Sequence, residues 1–207
     1  MVRYAALVVL VLGLHSLTFL LHAQKNQING LFPGFVLTIS GYHLTGQLGE
    51  VMDINGNHSV IFMNDFGTVY SYHPRMIAGF YYKDELKSYY FESKFDGKYW
   101  LFLQLLFREK GVSLYQVPEM KTQLVYENGV LRPLSYPFLA FFLDFSNGGN
   151  PLKLTKGTYK KRLIQLFKHR NPALAVKIGK PGYKFQDLKE IIREFTKSLL
   201  EKDKIEL

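Results

Sequence analysis

The chain has 207 residues, no cysteine and a formal net charge of +9, which excludes disulfides, a thiolate metal site and lipid attachment through an N-terminal cysteine. Its length suffices for one domain with a core of its own, or for two small lobes, and one domain is the default. The 17 Phe and 14 Tyr favour strands.

The charge is unevenly placed. Residues 24–152 carry 10 Lys and Arg against 11 Asp and Glu, whereas residues 153–204 carry 15 against 5. A basic face attracts any polyanion without specifying it. Outside the cytoplasm the expected partners are anionic envelope lipid or polysaccharide, not nucleic acid.

The first 23 residues carry the address. Arg3 precedes an apolar run from Ala5 to Leu21, and Leu21-His22-Ala23 leads into Gln24-Lys25-Asn26. A positive start, an apolar middle and a small residue before the cut are the order of a secretory signal peptide, cleaved after Ala23. The rival is a retained anchor, which needs about 20 apolar residues; His15, Ser16 and Thr18 interrupt this run. An exported protein is expected: periplasmic, envelope-associated or secreted.

From Gly34 to Leu134 the pattern predicts successive short strands: Phe35–Ser40, Leu44–Val51, Ser59–Met63, Thr68–Tyr72, Ile77–Tyr82, Ser88–Phe95, Tyr99–Phe107, Val112–Val117, Gln123–Glu127 and Val130–Leu134. Asp96-Gly97 and Asn128-Gly129 are dipeptides of two-residue type I′ hairpins, whose central residues both need positive φ. A two-residue loop at 96 and 97 sets Phe95 opposite Lys98, Ser93 opposite Trp100 and Phe91 opposite Phe102. The continuous apolar run after Tyr99 suggests a central strand covered on both faces, with Trp100 in core or hairpin packing. Pro133 disfavours a central position for the last strand. No strand alternates with a helix here, so an antiparallel meander, roll or open barrel is expected.

The last third changes period. Phe138 to Phe145 is apolar on every side and reads as a short buried helix. Tyr159, Leu163, Leu166 and Phe167 recur at helical spacing, as do Leu188, Ile191, Ile192, Phe195 and Leu199. Asp187 with Glu190 three residues on resembles a capping box. The expectation is an α+β fold: a leader over 1–23, an antiparallel β-lobe over 24–135, and two to three amphipathic helices over 136–207 packed on the sheet as one globular unit.

Chemistry is sparse. His43, His58 and His73 are spaced by 15, so hairpins could gather them with Asp53 or Asp65 around a metal; turn histidines are more often exposed polar residues, and no metal or cofactor is expected. Ser40, Ser59, Ser71 and Ser113 lack the glycine context of a nucleophile elbow. Asp84-Glu85 suits a turn. Tyr81-Tyr82 and Tyr89-Tyr90 could stack on sugars, though Tyr-rich strands are usually half-buried sheet. Lys156, Lys160, Lys161, Arg162, Lys168 and Arg170 fall within about four helical turns and are the candidate contacts to an anionic surface.

Gly34-Phe35-Val36-Leu37-Thr38 with Leu44-Thr45-Gly46-Gln47, Phe102-Leu103-Gln104-Leu105-Leu106 with Gly111-Val112-Ser113-Leu114-Tyr115, and Tyr183 with Asp187-Leu188 and Phe195 resemble a family of uncharacterised exported proteins of Bacteroidota-type bacteria. The chain departs from that pattern at Gly41-Tyr42-His43, at Phe195-Thr196 and at Asn147 to Pro151. The resemblance implies an exported fold and carries no catalytic residue over to this chain. The expected function is a non-enzymatic binding or structural module of the cell envelope. The alternative is a hydrolase acting on an envelope polymer through dispersed residues.

Overall fold

The computed structural model describes residues 30–109, 111–117, 120–127, 129–137, 139–146 and 148–205; the predicted leader lies outside them. Phe32–Leu207 form one compact unit. Among the described residues thirteen strands make a single sheet: β1 Phe32–Thr38, β2 His43–Leu48, β3 Met52–Ile54, β4 Asn57–Asn64, β5 Val69–Tyr72, β6 Ile77–Lys83, β7 Ser88–Phe95, β8 Trp100–Glu109, β9 Val112–Gln116, β10 Met120–Glu127, β11 Val130–Pro137, β12 Phe141–Phe145 and β13 Leu152–Leu154. Their order is β11-β10-β3-β4-β2-β1-β6-β7-β8-β9-β12-β13, with β5 branching from β4. Among the described residues pairing is antiparallel apart from one parallel pair, Thr122 with Ile54. The helices follow: α1 Tyr159–Arg170, α2 Pro172–Ala175, a 3-10 turn Phe185–Asp187, and α3 Leu188–Ile205. The fold is therefore α+β. Among the described residues no helix is long and apolar enough to cross a membrane.

Two glycines let the first strands close up. Gly34 and Gly46 face each other across β1 and β2; a Cβ at Gly34 would fall 2.0 Å from the Tyr81 carbonyl oxygen, and one at Gly46 2.2 Å from that of Met63. No side chain fits there, so only glycine permits the approach. The sheet bends until β4 returns to β8, where the Phe102 N–H donates to Nδ1 of buried His58 at 3.1 Å. Val36, Leu48, Val60, Phe62, Phe80 and Phe102 fill the space enclosed.

The other end of the same face is covered by helices. Leu114, Phe141, Leu143 and Leu154 pack against Leu163, Phe167, Leu188, Ile192 and Phe195, with the Phe167 and Phe195 rings stacked at 4.5 Å. Asn171 joins these elements. Its N–H caps α1 on the Phe167 carbonyl at 2.7 Å, its Oδ1 accepts from the Leu174 N–H at 3.0 Å to start α2, and its Nδ2 donates to Ser198 Oγ on α3 at 2.8 Å. Pro172 suits the first position of α2, where no N–H partner is needed.

Three expectations are corrected. The β7–β8 register sets Phe95 opposite Trp100, Ser93 opposite Phe102 and Phe91 opposite Gln104, so the loop has four residues. Asp96 is the cause: its Oδ1 accepts from the N–H groups of Lys98 and Tyr99 at 2.9 and 2.7 Å, closing a wider turn. The slip is of two residues, so every side chain keeps its predicted face. The run ending at Phe145 is strand β12, not a helix. It is apolar all round because Phe141 and Leu143 face the helices while Phe142 joins Leu101, Leu103 and Tyr115 on the opposite face. Finally, Asp187 is not an N-cap with Glu190: the chain enters α3 through the 3-10 turn, and Asp187 Oδ2 accepts from the Lys184 N–H at 2.9 Å. Elsewhere β11 lies at the sheet edge with Pro133, and the pairing of Glu127 with Val130 fits the two-residue connection.

Candidate functional site

The basic segment folds as α1, and its apolar stripe faces the sheet through Leu163 and Phe167. Lys160, Ile164 and Lys168 recur every four residues and so form a second row on its flank. This row lines a groove of about 610 Å³ whose other wall is the α2 segment. Ile164, Pro172, Ala175 and Ile178 supply an apolar lining; Lys160, Lys168 and Lys180 bring three ammonium groups to it, and no carboxylate lines it among the described residues. The Lys160 stem packs over Gly179, where an added Cβ would fall 3.1 Å from Lys160 Cε. A lysine can thus lay its methylenes on the apolar wall and keep its charge at the rim.

The far wall is fixed from behind. Lys177 Nζ donates to Glu194 Oε1 at 2.9 Å and the Tyr183 hydroxyl to Oε2 at 3.0 Å. Burial pushes the Glu194 carboxyl up, but the hydrogen bonds from Lys177 and Tyr183 outweigh it and hold it below the usual range. Glu194 on α3 is therefore already engaged by Lys177 and Tyr183.

Of the six predicted contacts, Lys160 and Lys168 meet at this groove. Lys156 and Lys161 are exposed and do not line it. Arg162 donates to the Lys153 carbonyl, and Arg170 stacks over the Phe145 ring at 5.3 Å. Lys180 is not among the six; nothing in the helical period links it to α1.

A second concentration of charge crosses the sheet. Glu92 and Lys94 on β7, Arg108 on β8, Ser113 and Tyr115 on β9, and Asp144 on β12 share one face. The Tyr115 hydroxyl donates to Glu92 Oε2 at 2.6 Å. Arg108 reaches both Glu92 oxygens at 2.7 and 2.8 Å and Ser113 Oγ at 2.8 Å, and Lys94 binds Asp144 Oδ2 at 2.8 Å. Burial pushes the Glu92 carboxyl up; hydrogen bonds from Tyr115 and Arg108 and the nearby Lys94 charge overcome this and hold it below the usual range. Burial and the bond to Glu92 push the Tyr115 phenol up. Charged groups engaged in this way hold strands together and have little proton to exchange near neutrality.

The histidines part company. His58 Nε2 lies 3.5 Å from Asp53 Oδ2, but His73 reaches His58 only through its main-chain carbonyl, donating from Nδ1 at 3.0 Å. His43 instead stacks on Phe35 at 4.4 Å. Among the described residues no three His, Asp or Glu side chains converge as metal ligands. Asp84 Oδ1 accepts from the N–H groups of Leu86 and Lys87, both at 2.7 Å, as a turn residue. Of the suspected sugar platforms, Tyr82 is buried and Tyr89 packs beside it at 4.7 Å, against the enclosed core.

No family model, curated protein or solved structure matches this chain.

Proposed function

We propose that the protein is an exported, non-enzymatic binding module of the cell envelope that holds anionic lipid at the groove between α1 and the α2 segment. The observation that carries this reading is an apolar groove bordered by Lys160, Lys168 and Lys180 and, among the described residues, lined by no acid. An acyl chain would leave water on the apolar wall, at roughly 0.8 kcal/mol per buried CH₂, while the headgroup anion meets the ammonium groups. The leader pattern of residues 1–23 and the resemblance to exported proteins support the address. On this reading the β-lobe acts as an open barrel, a rigid base to which the helices are pinned. A hydrolase would draw on Glu92 and Asp144, and the engagement of Glu92 by Tyr115 and Arg108 favours binding over acid–base work.

Sedimentation with phosphatidylglycerol–phosphatidylcholine vesicles tests it. The protein is expected to pellet with anionic vesicles and progressively less as salt rises. Each lysine contributes about 1 kcal/mol near such a surface, so Lys160→Gln, Lys168→Gln and Lys180→Gln together should weaken binding by roughly a hundredfold. Equal binding to pure phosphatidylcholine, or full binding by the triple variant, overturns the reading.

A further inference from the structure

A second cavity, of about 410 Å³, opens where the β4–β5 turn meets β2. Phe62 lies at its base, because Gly46 leaves room for the ring: a Cβ there would fall 2.6 Å from Phe62 Cε2. Tyr70 and Tyr72, two apart on β5 and so on one face, line the cavity with rings 5.9 Å apart and within 12° of parallel.

The rim is preformed. Asn64 Oδ1 accepts from the N–H groups of Phe66 and Thr68 at 3.0 and 2.9 Å, and the Thr45 hydroxyl donates to Asp65 Oδ2 at 2.6 Å, binding the turn to its neighbour. This fixed turn presents Phe66 at 93% exposure beside the cavity. A phenyl ring held in water on an ordered turn gains only when something covers it.

The donor set narrows what that is. His43, Thr45, Asn64 and the two tyrosines are polar without carrying a fixed charge; among the described residues Asp65 is the one carboxylate and neither Lys nor Arg lines the cavity. An anion has no partner here. A cage for an organic cation needs aromatic faces enclosing the charge and few hydrogen-bonding groups; here two rings run parallel and hydrogen-bonding groups are plentiful. Flat aromatic faces beside many neutral donors and acceptors match a ring that is apolar above and below and hydroxylated around its edge.

We propose that this cavity binds a neutral sugar ring, stacked on Tyr70 and Phe66 and hydrogen-bonded by Asp65, Asn64 and His43. The site is independent of the lysine groove and would give the module a second, uncharged contact with an envelope polysaccharide.

Saturation-transfer NMR on the full chain with maltotriose and triacetylchitotriose tests it, with choline and glucuronate as comparators. Irradiating the protein aromatic protons should label the ring C–H protons of at least one oligosaccharide, with affinity of about millimolar order. Phe66→Ala should weaken binding about tenfold and cannot disturb the core, since that ring is exposed; Tyr70→Ala should do the same with the circular dichroism spectrum retained. The triple lysine variant should bind sugar normally, which separates this site from the groove. Absence of transfer to either sugar overturns the proposal, as does sugar binding indifferent to Phe66→Ala. Phe66-dependent binding of choline in place of sugar reassigns the cavity to an organic cation and overturns it equally.

Discussion

His58 shows how one side chain can complete a sheet. Only 2% of it is exposed, and because the Phe102 N–H donates to Nδ1, the ring proton of the neutral form sits on Nε2, facing Asp53. Where β4 meets β8 the ring stands in for a missing strand carbonyl. His58→Ala leaves that N–H buried without an acceptor and opens a void, costing about 3 kcal/mol. His58→Asn is expected to recover part of this, because its Oδ1 lies near the former Nδ1, whereas Gln places its oxygen beyond. Urea unfolding of the three variants, with hydrogen exchange at the Phe102 amide, checks the order; equal stability of Asn and Ala variants would refute the acceptor role.

At the scale of the element, β8 carries the most information. Leu101 and Leu103 face one side and Phe102 the other, then the register breaks between Leu105 and Phe107. The bulge turns Leu106 and Phe107 together toward the helices and aims Arg108 at Glu92; with strict alternation Arg108 would point into the apolar core. Deleting Leu106 restores alternation and keeps Arg108 on its face, so the protein should fold with a loss of about 1–2 kcal/mol from reduced burial. Deleting Leu103 reverses every later side chain and should abolish folding. A thermal melt of the two deletions decides it, and equal damage from both would rule the bulge out as the cause. Ten strands, β1, β2 and β4 to β11, were legible in the sequence because turn residues punctuate them, and α1 and α3 because their apolar spacing is regular; the three-residue β3 and β13 are too short to show a period. Three other kinds of feature were not legible. Asp96 widened a loop through its side chain, and propensity for a two-residue turn does not register that. β12 is covered on both faces, which erases the alternation that marks a strand. The bulge in β8 is invisible in an all-apolar run. Of the groove, the α1 lysines were readable, but Lys180 arrives through the fold of the α2 segment, and the Tyr70 cavity depends on which strands become neighbours.

For the whole molecule, the Glu92 cluster matters because it joins β7, β8, β9 and β12, linking the part of the sheet that bends on itself to the part that carries the helices. The groups facing Glu92 are Lys94 from its own strand, Arg108 from β8 and Tyr115 from β9, with Asp144 reached through Lys94. Together they hold its carboxyl below the unfolded value of about 4.3. The folded state therefore binds fewer protons than the unfolded one, so this stabilisation is complete above the unfolded value and is lost as pH falls through the folded one. Glu194 shifts in the same direction, but its side chain is 42% exposed and solvent screening leaves it a minor share. Glu92→Gln removes the charge that Arg108 and Lys94 face and should cost about 2–3 kcal/mol near neutral pH, less than for a fully buried pair because Arg108 reaches solvent. The variant should also lose less additional stability than wild type between roughly pH 7 and pH 3, whereas Glu194→Gln should keep nearly the full acid slope. Urea midpoints across that range give the comparison. Parallel slopes for wild type and Glu92→Gln would mean that the strands are held by their apolar faces alone and that the charged crossing contributes nothing to acid sensitivity.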